Sequence, residues 1–129
     1  MSKKIKLGVV GDPIDHSLSP LIHSKFGALN GMEIDYQPFH VVQKDLIEFI
    51  KDFFYKGGHG LNITLPHKLN CIHAADILSS EVELLGAANT LSKNQDEQIV
   101  ASSTDGLGLI KDCSDKNIEI SNKRVLILG

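Results

Sequence analysis

The sequence predicts an α/β fold: a three-layer α/β/α domain with a mixed, mainly parallel sheet flanked by helices. Three observations carry that expectation. Short apolar runs alternate with stretches of helical periodicity along the chain, the pattern of strands joined by helical crossovers. The polar turn "KNQDEQ" lies between two short strand-like segments and adds one antiparallel pair. Neither an internal repeat nor a low-complexity segment breaks the pattern, and 129 residues suffice for one domain with a real core.

"IKLGVV", bounded by Gly11 and Pro13, reads as a buried first strand. Ser19 followed by Pro20 marks a helix start, and that helix would turn Leu21, Ile22, Phe26 and Leu29 to the core before stopping at Asn30 and Gly31. "IDYQPFHV" alternates like a strand, with Pro38 pointing to an edge or a bulge. Over residues 44–56, Leu46, Ile47, Ile50, Phe53 and Phe54 share one helical face. "GGHG" breaks that helix, and "LNIT" supplies another strand. Pro66 opens a further helical pattern towards Ala75, and "SSEVELLG" reads as a short helix with acidic residues at its positive end. "NTLS" and "QIVASS" form the hairpin, and a last helix starts near Gly106 with Leu107, Leu109 and Ile110. In "NKRVLILG", residues 125–128 read as a strand that meets Gly129, the way a dinucleotide-binding unit begins.

Composition sets the class and leaves the chemistry open. Hydrophobic residues make up 42% and charged residues 22%, and the net charge of -3 is mixed along the chain. A clustered basic face is lacking, which argues against nucleic acid as a partner, and no polybasic patch points to a membrane surface. No apolar run approaches the ~20 residues of a spanning helix. Cys71 and Cys113 lie far apart without metal-type spacing, so reduced thiols and a cytoplasmic location are expected.

Three polar loops follow predicted strands: "GDPIDHSLSP", "NITLPHK" and "SSTDGLG". In open α/β sheets ligands bind outside the carboxyl ends of strands, so three such loops can face one cleft. Taken singly, each is more simply an ordinary turn. Ser17 and Ser19 stand two positions apart, so in extended chain their hydroxyls face one side and suit a carboxylate or polyol. They also precede a helix N-terminus, which favours an anion; the plainer reading makes Ser19 a helix cap and Ser17 solvated. Asn62 and Thr64 alternate onto one face. Lys68 falls in the expected first turn of a helix, where its charge opposes the dipole, and this hints at a role in proton exchange; most lysines are simply exposed. Asp105 is its natural partner, or a helix cap. Asn89 can hold a hydroxyl through both ends of its amide, or stabilise a turn. Of the six histidines none has zinc-like spacing, so no metal site is expected, and only His67, beside Lys68, stands near the candidate chemistry. A P-loop, a complete GxGxxG and a G-x-S-x-G elbow are all missing.

Together these stretches resemble the N-terminal domain of the shikimate dehydrogenase family. "GDPIDHSLSP" with "LIHS" resembles the family's G-x-P-x-x-H-S-x-S-P-x-x-H-N, and "GLNITLPHK" its G-x-N-[VI]-T-x-P-x-K. "GAANTL" resembles G-A-x-N-T, and "STDGLG" resembles N-T-D-G-x-G. Ser24 and Ser103 stand where the family usually has Asn. The resemblance covers essentially the whole chain, in family order.

It implies an oxidoreductase that reversibly reduces 3-dehydroshikimate to shikimate with NADP(H), in the chorismate pathway of aromatic amino acid biosynthesis. It also implies roles: Ser17 and Ser19 on the substrate carboxylate assisted by Thr64, then Asn62, Asn89 and Asp105 on ring hydroxyls, with Lys68 and Asp105 as the catalytic pair. Residues 1–122 would be the substrate-binding domain and residues 123–129 the first strand of a truncated NADP-binding Rossmann domain. Only Gly129 would then approach the cofactor. The expectation is a chain that binds no NADP and turns over no substrate alone, with a homodimer left open. A quinate/shikimate enzyme and a non-catalytic shikimate-binding module are the alternatives; the Lys68 and Asp105 pair argues against the module.

Overall fold

The computed structural model describes residues 4–128. Six strands form one mixed sheet: β1 (Ile5–Gly11), β2 (Ile34–His40), β3 (Gly60–Ile63), β4 (Ile77–Leu78), β5 (Thr90–Lys93) and β6 (Ile99–Ser102), in the order β2-β1-β3-β5-β6-β4. β1 pairs in parallel with β2 and β3, and β4 with β6, whereas β3–β5 and β5–β6 are antiparallel. The expected mixed, mainly parallel sheet is present. Pro38 lies in β2 on the sheet edge, where its missing N–H leaves no ladder bond unmade.

Helices α1 (Ser19–Leu29) and α2 (Leu46–Tyr55) pack on opposite faces. Adjacent residues of β1 divide between them: Val10 joins the larger core under α2, and Val9 joins a smaller cluster with Ile14 and Tyr36 on the α1 side. Leu46, Ile50 and Phe54 of α2 are fully buried against Leu61, Ile63 and Leu91, as the helical spacing requires. The expected short helix α3 (Ser80–Leu85) is capped at both ends. Ser79 Oγ accepts from Val82 N at 3.3 Å, and Gly86 closes it with a left-handed φ of 68°. Helix α4 (Asp105–Asp115) starts where the sequence places it.

Three expectations need correction, and one strand was not foreseen. The face of α1 turned to the sheet carries Ser19, His23 and Gly27, not its leucines; Leu29 stays 83% exposed. Gly27 permits that close approach, because a Cβ there would meet the Ile34 side chain at 2.9 Å. Residues 66–75 form turns and a short 3-10 segment, Cys71–Ala74, in place of a helix, so Lys68 faces no helix N-terminus. The two-residue β4 is too short to leave a periodic signal. Residues 125–128 are not a strand: they pair with nothing in the sheet, and Leu126 is 81% exposed. An apolar run becomes a strand only where a neighbour supplies its ladder. Gly129 lies outside the described residues.

Candidate functional site

Backbone hydrogen bonds draw the loops at the strand ends together. Asp12 N donates to Leu65 O (3.1 Å) and Thr64 N to Val10 O (2.9 Å), tying the loop after β1 to the loop after β3. Ile63 N donates to Asn89 O (2.8 Å), and Asn89 N to Ser102 O (3.2 Å), bringing in the segments around β5 and β6. Ala88 N donates to Lys68 O at 2.9 Å. His67 anchors this stretch from below. It is fully buried, its Nε2 donates to Val41 O at 2.6 Å, and its Nδ1 has no partner among the described residues. Its role is therefore structural support, outside the cleft.

The resulting cleft encloses about 470 Å³ and is lined by Ser17, Ser19, Asn62, Thr64, Lys68, Asn89 and Asp105, with Val9 and Ile14 as apolar contacts. Residues from all three predicted loops converge here, as the strand-end argument requires. The catalytic candidates meet directly: Lys68 Nζ donates to Asp105 Oδ2 at 2.6 Å. Asp105 is 57% exposed and Lys68 32%, so the pair adds little to stability, and its value is positional. Asn89 Nδ2 donates to Asp105 Oδ1 (3.1 Å) and Thr104 Oγ1 (2.9 Å), which holds the carboxylate from its second oxygen. Asp105 is the first residue of α4 and makes no cap; Thr104 stands at the N-cap without a side-chain capping bond to the helix, its Oγ1 accepting from Asn89 instead.

Helix α1 begins differently from expectation. Leu18 occupies the N-cap, and Ser17 Oγ accepts from Ser19 N at 3.2 Å. The serine pair thus curls over the start of the helix instead of lying extended, and both side chains still line the cleft.

Three lining or supporting residues escaped the sequence reading. His16 and His23 line the cleft, and Tyr36 lies behind it, 6% exposed. The rings of His23 and Tyr36 stack at 4.4 Å and 12°. Burial lowers the His23 imidazole and pushes the Tyr36 phenol up to about 12, the latter partly opposed by a hydrogen bond from the Ser19 side chain. Tyr36 reaches the site through strand pairing: it lies opposite Leu7, and Asn62 lies opposite Val9. No spacing within either segment reveals that neighbourhood. Among the described residues no group of three or more His, Cys, Asp or Glu side chains is placed to hold a metal, both cysteines are free, and no helix is long and apolar enough to cross a membrane.

Gly11 sits where two of the loops approach closely. A Cβ there would lie 2.6 Å from Thr64 Cγ2 and 3.3 Å from Leu65 O. Gly11→Ala is expected to push the Thr64 loop away from the serines and cost roughly 1–3 kcal/mol of stability by overpacking. Urea unfolding of the variant checks it; an unchanged midpoint would show that the loop yields freely.

Fold and cleft together define the class: an open α/β domain that carries a polar cleft with a lysine–carboxylate pair at its strand ends. Residues 9–91 match the family described as the shikimate dehydrogenase substrate binding domain. A shikimate dehydrogenase (NADP(+)) from Marinobacter nauticus is 42% identical over 122 residues, covering 94% of this chain and 44% of that enzyme. The enzyme of the same name from Legionella pneumophila strain Philadelphia 1 is 41% identical over 124 residues, 96% of this chain and 46% of its own length. Among solved structures, shikimate 5-dehydrogenase from Listeria monocytogenes, in complex with shikimate and NAD, matches with TM-score 0.85 and 32% identity over 91% of this chain and 40% of that one. Shikimate dehydrogenase from Aquifex aeolicus matches with TM-score 0.87 at 26% identity, over 93% of this chain and 45% of that one. The chain belongs to the shikimate dehydrogenase substrate-binding domain family. It spans less than half the length of the curated relatives it matches.

Proposed function

We infer that this chain is the substrate-binding and proton-transfer part of an NADP-dependent shikimate dehydrogenase. The observation that carries the reading is the contact between Lys68 and Asp105 at 2.6 Å inside a cleft that also holds Ser17, Ser19, Asn62, Thr64 and Asn89. A bare binding module needs the hydroxyls and amides and has no use for the ion pair.

The chemistry accounts for the residue types. When a ring alcohol is oxidised, its carbon loses a hydride and its oxygen loses a proton, and reduction reverses both. NADP(H) supplies or takes the hydride when bound. Lys68 exchanges the proton with the reacting oxygen, and Asp105 orients that hydroxyl and holds the ammonium in place. Ser17 and Ser19 donate to the substrate carboxylate at the start of α1, with Thr64 assisting. Asn62 and Asn89 hold the remaining hydroxyls.

None of the described residues forms the strand and glycine turn of a dinucleotide site. The described residues are proposed to bind substrate, and turnover requires a dinucleotide site that sets the hydride donor against it. The two free thiols fit a cytoplasmic setting.

A titration of the chain with shikimate, without NADP, followed by NMR tests the reading. Saturable shifts confined to the three loops are expected. Ser17→Ala should weaken binding about tenfold, as loss of a hydrogen bond to a charged group does. No shifts at millimolar shikimate, or shifts indifferent to the substitution, would overturn it.

A further inference from the structure

The side chains behind the cleft form one directional chain of hydrogen bonds, and a backbone group sets its direction. Thr104 N, which can only donate, points to Asn89 Oδ1 at 3.1 Å. That assigns the two ends of the Asn89 amide, in agreement with its Nδ2 facing the Asp105 carboxylate. The Thr90 hydroxyl, 2.9 Å from Asn89 Oδ1, therefore donates to it. Its single hydrogen is committed there, so Thr90 Oγ1 can only accept from Asn62, whose Nδ2 lies 3.4 Å away. Asn62 Oδ1 is then turned back to Tyr36, whose O–H donates to it at 2.8 Å. The phenol stays protonated at any working pH, since burial pushes it up to about 12. Its ring is locked against His23 and closed off from solvent.

Each step removes one of the two orientations open to an amide or hydroxyl. The bond from Asn62 Nδ2 to Thr90 is long, and the second N–H of that nitrogen has no partner in the chain of bonds just described, while Asn62 lines the cleft. We propose that Tyr36 is a positioning residue that, together with the accept-only Thr90 Oγ1, holds Asn62 as a hydrogen-bond donor to the cleft, so that the site favours a ligand presenting an oxygen lone pair at that point. The proposal rests on the ligand reading above for the identity of that oxygen, a ring hydroxyl, and on the internal network alone for the orientation of Asn62. Without the phenol, Asn62 loses the bond that holds its carbonyl away from the cleft, and the amide is free to turn, so the ring hydroxyl no longer meets a fixed donor.

Two measurements test it. In the free chain, the Asn62 side-chain amide protons should show stronger NOEs to Thr90 than to the Tyr36 ring; the reverse would overturn the proposal whatever the ligand does. In shikimate titrations, Tyr36→Phe and Asn62→Ala should each weaken binding about tenfold, and the double variant should bind within about twofold of Asn62→Ala. Losses that simply add would show that Tyr36 acts independently of Asn62 and would overturn it. A monodeoxy shikimate lacking the hydroxyl held by Asn62 should bind Tyr36→Phe and the unsubstituted chain alike, an outcome that a merely structural role for Tyr36 would not produce. A chain with the expected NOEs that fails to bind shikimate would support the orientation of Asn62 and overturn the ligand reading.

Discussion

Lys68→Met is expected to lower kcat for shikimate oxidation by about 10²–10⁴-fold, the range for removal of a positioned general acid or base. The assay uses residues 1–122 joined to the portion of the Marinobacter nauticus relative that this chain does not cover, after the unsubstituted chimera is shown to turn over. The lysine ammonium is fixed by Asp105 at 2.6 Å, and Asp105 is in turn held by Asn89 at 3.1 Å. Methionine fills similar volume and carries no proton, so KM should change far less than kcat, by less than about tenfold. The pair is partly exposed, so folding should be nearly unaffected. A variant with near-normal kcat would remove Lys68 from proton transfer and leave it a binding residue.

Phe54→Ala is expected to destabilise the chain by about 3–5 kcal/mol. Phe54 is 1% exposed and lies in the main core with Leu46 and Ile50 of α2. Its ring also meets that of Phe53 edge to face, with centroids 5.4 Å apart. A loss of that size is a large fraction of the ~5–15 kcal/mol that holds a typical domain folded. Urea unfolding monitored by circular dichroism gives the value. A loss below about 1 kcal/mol would mean that α2 repacks without the ring and contributes less than its burial implies.

Much of the molecule was legible in the chain because the relevant signals are local. The spacing of Leu46, Ile50 and Phe54 is a property of one helix, and the turn that closes β5 on β6 is a property of a few polar residues. The cleft residues Ser17, Ser19, Asn62, Thr64, Lys68, Asn89 and Asp105 were legible for another reason: each sits in a short stretch whose Pro or Gly framing and residue types are visible without any contact map. Where reading failed, a neighbour decided. The leucines of α1 have the period of a buried face, but the helix turns Ser19, His23 and Gly27 to the sheet. Residues 125–128 have the composition of a strand and lack a partner strand. Lys68 owes its place to the Ala88 to Lys68 backbone bond and to buried His67, not to the helix that Pro66 suggested.

By itself, the sequence determined the class of fold, the order of its elements and the identity of the polar groups that can do chemistry. These follow from periodicity and residue type, which act over a few residues at a time. Only the tertiary structure decided which of those groups touch, that Lys68 pairs with Asp105 and that Tyr36 stands behind Asn62. The physical reason is that a hydrogen bond between side chains 37 or 26 positions apart depends on strand register and loop packing. Those are set by the burial of the whole core and by every backbone group finding a partner, and no single segment contains them.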